Sequence, residues 1–131
     1  MTHPLRILIS LLVFAALAGC KPIPDNPLEG KWSMYQVIQD GKDVTGEHDP
    51  YHERYLILRE DSTFESGGRP FGMNTGRYVY DPAEYTLFLD SDAGEEDDSR
   101  WKVEVRNDTM HWWGLGSEWA EGFELIQVKA K

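Results

Sequence analysis

From Gly30 onward, apolar and polar residues alternate with a period of two along much of the chain. The clearest run is residues 100–106, where Trp101, Val103 and Val105 share one face and four charged residues share the other. Because successive side chains of a strand point to opposite sides of a sheet, this run predicts a strand with one buried face.

The same alternation predicts strands at residues 31–39, 76–80, 85–89 and 109–113. Aromatic and branched residues predict a strand at residues 55–59, an apolar run predicts one at residues 123–128, and a short strand fits at residues 63–66. Their alternation predicts an inner face that includes Trp32, Met34, Ile38, Tyr78, Tyr80, Tyr85, Leu87, Leu89, Met110 and Trp112. No segment shows the apolar stripe of an amphipathic helix, and only the polar residues 45–54 could hold a short one.

Turn-forming pairs separate the predicted strands, namely Asp40-Gly41, Asp61-Ser62, Asp81-Pro82 and Asn107-Asp108. Longer connections are predicted at the acidic residues 90–99 and at residues 114–122, which contain glycine. Strands this short and this regularly spaced predict an all-β domain. We expect a small antiparallel up-and-down barrel of about eight strands, with a sandwich as the alternative.

The N-terminal segment has the features of an export signal. Arg6 precedes an apolar run at residues 7–18, which is too short to span a bilayer because a spanning helix takes about 20 residues. The run ends at Leu17-Ala18-Gly19-Cys20, which resembles the lipobox of bacterial lipoproteins. The resemblance implies that residues 1–19 are removed and that Cys20 carries a diacylglyceryl group and an N-acyl chain.

Cys20 is the only cysteine, so the chain has no disulfide, and the thiol is either free or lipidated. The alternatives to a lipoprotein signal are an ordinary secretory signal and a buried apolar helix that ends in Cys. In lipoprotein sorting, Asp after the lipidated Cys retains the protein in the inner membrane. Lys21 stands there instead, so the resemblance implies the outer membrane, on its periplasmic or surface face.

The remaining chain divides into a tether and one domain. Residues 20–28 contain three prolines, which favour a semi-rigid tether, and residues 29–131 form the predicted barrel. The net charge of −10 repels nucleic acid, so we expect no nucleic-acid partner. We expect a monomer whose membrane contact is the lipid on Cys20.

A family resemblance supports the barrel. Its motifs, in order, are Leu28-Glu29-Gly30-Lys31-Trp32, residues 56–64, Gly76-Arg77-Tyr78, residues 85–89, residues 101–105, Met110-His111-Trp112 and Phe123-Glu124-Leu125. They resemble the small lipocalin-like domains of bacterial lipoproteins, which are barrels of the calycin type. The resemblance implies that Trp32 plugs the closed end of the barrel. Residues 71–78 also resemble the META type of lipoprotein domain, which is a second fold alternative.

Four inward aromatic residues are candidates for ligand binding: Trp32, Tyr78, Trp101 and Trp112. An eight-stranded barrel is just wide enough to be filled by side chains or to hold one small ligand. The first hypothesis is therefore a binding module for a small apolar or aromatic molecule. The alternative is a non-catalytic accessory protein with a filled barrel that docks an envelope protein.

Metal binding and catalysis have weaker support in the sequence. Residues 90–98 offer carboxylate oxygens but lack the spacing of a calcium-binding EF-hand loop, which favours a solvated loop. His48 and His52 are four residues apart, but Pro50 lies between them. No motif pairs a nucleophile with a base. We therefore expect no metal, no cofactor and no enzymatic activity.

Overall fold

The structure is a computed structural model, and it describes residues 26–131. The predicted signal peptide, Cys20 and the tether up to Asp25 lie outside the described residues. The strands are β1 (Gly30–Gln39), β2 (Lys42–Asp43), β3 (Tyr55–Leu58), β4 (Thr63–Gly68), β5 (Phe71–Asp81), β6 (Thr86–Ser91), β7 (Ser99–Arg106), β8 (Thr109–Leu115) and β9 (Phe123–Lys129). The helices are the one-turn α1 (Thr45–His48) and a 3-10 turn (Glu95–Asp97).

The strands form one closed antiparallel barrel. Each strand from β3 to β9 pairs with its neighbour in sequence, and β1 closes the ring by pairing with both β3 and β9. The two-residue β2 pairs only with the end of β1, so the ring itself has eight strands. The predicted all-β barrel is confirmed, with a strand at each predicted run.

Two ends of the barrel follow from the strand directions. The closed end carries residues 26–29 and the turns at residues 59–62, 82–85 and 107–108. The end that we call the mouth carries the connections at residues 40–54, 69–70, 92–98 and 116–122. None of the helices within residues 26–131 is long and apolar enough to cross a membrane.

The turn residues have the backbone conformations that their side chains allow. Asp40 and Gly41 have φ values of 49° and 81°, which are the left-handed values that a tight hairpin turn requires. Asn107 has a φ of 53° in the turn before β8. Asn, Asp and Gly tolerate this region best, which explains why these pairs predicted turns correctly.

The closed end is sealed by the first residues of the domain. Trp32 is fully buried, and its indole Nε1 donates a hydrogen bond of 2.9 Å to the carbonyl of Leu28. Leu28 is itself fully buried in the core, and the Asn26 amide donates a 3.0 Å hydrogen bond to the hydroxyl of Tyr78. Asn26, Pro27 and Leu28, the last residues of the predicted tether, therefore pack on the barrel.

The buried apolar side chains of residues 26–131 form one core. It comprises Leu28, Trp32, Leu56, Leu58, Phe64, Tyr78, Leu87, Trp101, Val103, Met110, Trp112 and Ala120. The closed sheet packs around this core.

Two expectations about the inner face are wrong. A β-bulge at Tyr35 shifts the register of β1, so Val37 is fully buried and Ile38 is only half-buried. Tyr85 is 57% exposed because it belongs to the turn before β6, where its φ is 55°. In addition, β5 begins at Phe71, five residues before the predicted run.

Candidate ligand-binding cavity

The half of the barrel nearer the mouth contains a cavity of about 560 Å³. This volume lies within the range of about 300–1,000 Å³ that is usual for small-molecule sites. Its apolar lining includes Met34, Val37, Leu56, Phe64, Leu89 and Leu125. The alternation of these strands points every second side chain inward, which is why the wall is largely apolar.

Tryptophan side chains form one side of the cavity. The rings of Trp101 and Trp112 lie 5.4 Å apart, centroid to centroid. Trp119 packs edge-on against Trp101 at 6.2 Å and is 46% exposed at the mouth. The Trp101 indole Nε1 donates to the hydroxyl of Ser99 at 2.8 Å, which fixes the orientation of the ring.

The structure separates the four predicted ligand-binding residues into two pairs. Trp101 and Trp112 line the cavity. Trp32 and Tyr78 belong to the packed core at the closed end, where the Tyr78 hydroxyl donates to the carbonyl of Arg59 at 2.6 Å. Packing and lining therefore occur in the same barrel, with packing at the closed end and lining nearer the mouth.

The loop at residues 116–122 covers part of the mouth. Ala120, in this loop, is fully buried in the core, and its carbonyl lies against Gly114 of β8. A Cβ at Gly114 would clash with this carbonyl, so the close approach requires glycine. This loop also carries Trp119, which the sequence analysis did not single out because it lies outside the alternating runs.

The acidic loop before β7 uses its carboxylates within the fold. The Ser91 hydroxyl and the Asn74 amide each donate to Asp97 Oδ2 at 2.7 Å. The backbone N–H of Ser91 donates to Asp98 Oδ1 at 2.8 Å. Within residues 26–131, no group of three or more His, Cys, Asp or Glu side chains is placed to hold a metal ion.

Two buried donors on the inner face lack acceptors. Gln127 is 2% exposed, and its Nε2 has no hydrogen-bond partner among the described residues. The indole Nε1 of Trp112 also has none there. Trp112 pairs with Leu125 across β8 and β9, so Gln127 is its diagonal neighbour on the same inner face.

Arg54 brings a positive charge to the mouth. Its side chain lines the cavity, and the guanidinium carbon lies 4.7 Å from the ring centroid of Phe71. Burial lowers the pKa of Arg54, and the negative charge of Asp49 offsets part of that shift. Arg54 forms no ion pair with another residue of the described chain.

Comparison with known proteins identifies the fold. No protein-family model matches the sequence, and no curated protein is significantly similar to it. A DUF4847 family protein from Bacteroides vulgatus superposes with a TM-score of 0.56 at 11% identity, covering 79% of this chain and 94% of that one. A lipocalin-like protein from Bacteroides uniformis superposes with a TM-score of 0.55 at 14% identity, covering 79% and 99%. The fold is lipocalin-like.

The lipocalin-like barrel also holds site residues that the sequence analysis missed. Gln127 lies in the apolar run at residues 123–128, and its polarity is the only signal that marks it. Arg54 ends the polar segment in which a short helix was expected, and α1 ends before it at His48. No local pattern indicates that either side chain faces the interior, because this depends on which strands pair.

Proposed function

We propose that the protein is an envelope lipoprotein whose lipocalin-like barrel binds one small, partly apolar molecule. The observation that carries this proposal is the largely apolar cavity of about 560 Å³ in the half of the barrel nearer the mouth. Barrels of eight strands can be filled completely by side chains, whereas this barrel has a space of the size that is usual for small-molecule sites. It supports a binding module over the alternative of a filled barrel that docks a protein partner.

The energetics suit a small ligand. Burial of about 300 Å² of apolar ligand surface would contribute about 7 kcal/mol. Lost translational and rotational freedom offsets at least about 4 kcal/mol of this. Apolar contact alone therefore gives weak binding, and hydrogen bonds or ion pairs with lining residues are needed for a micromolar dissociation constant.

The envelope location rests on the N-terminal sequence. The apolar run before Leu17-Ala18-Gly19-Cys20 supports export and lipidation, and Lys21 supports the outer membrane. Two or more acyl chains give stable anchoring, since each buried methylene contributes about 0.8 kcal/mol. The proposed protein is thus a binding module held at a membrane by the lipid on Cys20.

Native mass spectrometry tests the binding function. The soluble chain from Lys21 onward contains the whole closed sheet, and it should be purified gently from the periplasm of its own host. We expect a stoichiometric small-molecule adduct that is lost on denaturation. A bare protein mass would favour the filled, partner-docking alternative.

A pair of variants ties the adduct to the cavity. Ser66 lines the cavity, and its side chain makes no hydrogen bond to the described residues, so Ser66→Phe fills the space without breaking a contact. Ser33→Phe places the same ring on the outer face of β1. We expect Ser66→Phe to lose the adduct and Ser33→Phe to retain it. Equal adducts in both variants would place the ligand outside the barrel.

A further inference from the structure

We propose that the ligand is an amphipathic organic anion whose apolar body fills the cavity and whose anionic group pairs with Arg54 at the mouth. This inference rests on the proposed binding function and adds the chemical class of the ligand and its orientation. It is carried by the position, surroundings and unpaired charge of Arg54.

The backbone around Arg54 is held by hydrogen bonds to β1 and to the side chain of Asp49. The carbonyl of Arg54 accepts a 3.0 Å hydrogen bond from the N–H of Met34 in β1. Its own N–H donates to Asp49 Oδ1 at 3.2 Å, and the N–H of Glu53 donates to the same oxygen at 2.9 Å. These hydrogen bonds hold the backbone of Arg54 in place at the rim of the cavity.

Neither carboxylate close to Arg54 along the chain forms an ion pair with it. Glu53 pairs with Arg69, whose Nε donates to Glu53 Oε2 at 2.8 Å. Asp49 is 1% exposed, and its Oδ1 accepts the backbone hydrogen bonds from Glu53 and Arg54. Its Oδ2 has no hydrogen-bond partner among the described residues. Asp49 offsets part of the desolvation of Arg54 from a distance, without an ion pair. The N–H groups of the Arg54 guanidinium are therefore available to an anionic ligand.

The apolar stacking of Arg54 strengthens such a pair. The guanidinium lies over Phe71, which removes water from one of its faces. Charge-assisted hydrogen bonds are stronger in a partly desolvated site than at an open surface. Arginine also presents its donors in a planar fork that matches a carboxylate or sulfonate.

The interior below Arg54 determines the orientation of the ligand. Met34, Leu56, Phe64 and Leu125 are apolar, and Gln127 is neutral. An ionised group seated among them would be desolvated without a counter-charge, which is costly. Asp97, on another part of the wall, already accepts hydrogen bonds from Asn74 and Ser91. The apolar end of the ligand therefore enters first, and the anionic group stays at the mouth.

Two matched probes test the inference on the soluble chain from Lys21 onward. 8-Anilinonaphthalene-1-sulfonate and N-phenyl-1-naphthylamine share one apolar skeleton, and only the first carries an anionic group. Both fluoresce when buried, and their proximity to Trp101, Trp112 and Trp119 should quench tryptophan emission. We expect the wild-type protein to bind the sulfonate about tenfold more tightly than the neutral amine.

Variants assign this preference to one charge. Arg54→Gln should weaken sulfonate binding about tenfold and leave binding of the neutral amine unchanged. Arg54→Lys should restore part of the loss, since it restores the charge without the planar fork. Arg77→Gln, on the exposed outer face of β5, makes the same change of net charge and should affect neither probe.

The outcomes separate this inference from the binding function. Equal affinity for both probes, with no selective loss in Arg54→Gln, would overturn the anion site while leaving the cavity as a binding site. A loss that is the same in Arg77→Gln would also overturn it, because the effect would then be one of overall charge. Absence of binding by either probe would refute the binding function together with this inference.

Discussion

Gln127 places an amide among apolar side chains deep in the barrel, two residues before the Lys129 that pairs with Trp32. Its Nε2 has no acceptor within residues 26–131. A buried donor without a partner costs about 1–3 kcal/mol. The residue therefore lowers the stability of the empty barrel, and a ligand with a hydrogen-bond acceptor could recover part of that cost.

Replacing Gln127 should stabilise the empty protein. Gln127→Met keeps the length of the side chain and removes the unpaired donor, so we expect about 1 kcal/mol of added stability. The measurement is the free energy of unfolding in urea. Gln36→Met is the control, because Gln36 donates to Asp43 at an exposed position and its replacement should give no gain. A less stable Gln127→Met would show that the amide finds an acceptor in solution.

Tyr78 links stability to pH at the closed end. Burial, with a contribution from the negative charge of Glu29, raises the pKa of the Tyr78 hydroxyl above its ordinary value. Because the folded pKa is above the unfolded value of about 10, its contribution to stability is complete below about pH 10 and is lost as the pH rises through the folded pKa. Ionisation would also remove the hydrogen bond to the carbonyl of Arg59.

Tyr78→Phe separates these effects. At pH 8 the variant should be about 1 kcal/mol less stable, since the carbonyl of Arg59 loses its donor. Between about pH 9 and pH 11 its free energy of unfolding should fall less than that of the wild type. Tyr85→Phe, at an exposed turn position, should keep the wild-type fall. Parallel curves for Tyr78→Phe and the wild type would contradict the assignment.

At the scale of elements, the loop at residues 116–122 depends on the close approach of Ala120 to Gly114. Gly114→Ala forces the loop away from β8, because the clash is with backbone rather than with a flexible side chain. We expect a loss of about 2 kcal/mol and a more open mouth. Thermal unfolding measures the first, and acrylamide quenching of Trp119 measures the second.

Gly72→Ala is the matched control for this loop. Gly72 lies in β5, and a Cβ there meets nothing within 4 Å. This variant should change stability by less than about 0.5 kcal/mol. If Gly114→Ala behaves in the same way, the loop does not need this contact.

Local patterns predicted the elements better than the details between them. Each strand of the ring has its own local signal, either alternation or a run of apolar, aromatic or branched residues, so all eight could be found from the sequence. The bulge at Tyr35 and the start of β5 at Phe71 depend on partner strands. The segment from Phe71 to Thr75 contains Gly and Asn, which are poor strand formers, and its pairing with β4 overrides their propensity. The alternation predicts that Trp101 and Trp112 face inward, but it does not show that they line a cavity.

At the scale of the whole molecule, the proposed lipid anchor would decide where the barrel works. Cys20→Ser should block lipoprotein processing and release the protein from the membrane fraction, because no acyl chain can then attach. Fractionation and the mass of the N-terminus measure both effects. Ser33→Ala leaves the lipobox-like sequence intact and should stay with the membrane. Membrane association of Cys20→Ser with ordinary processing would contradict the lipoprotein assignment.

The hydrogen bond from Asn26 to Tyr78 also bears on how the proposed lipid anchor would orient the barrel at a membrane. Five residues lie between Cys20 and Asn26, so the Cα atoms of these two residues are at most about 20 Å apart. The eleven residues of β5, tilted as in other barrels, span about 28 Å from base to rim. A lipid on Cys20 would therefore hold the closed end of the barrel near the membrane and the mouth away from it. In this orientation the proposed ligand would enter and leave through the mouth, from the aqueous phase or from another carrier, rather than directly from the bilayer.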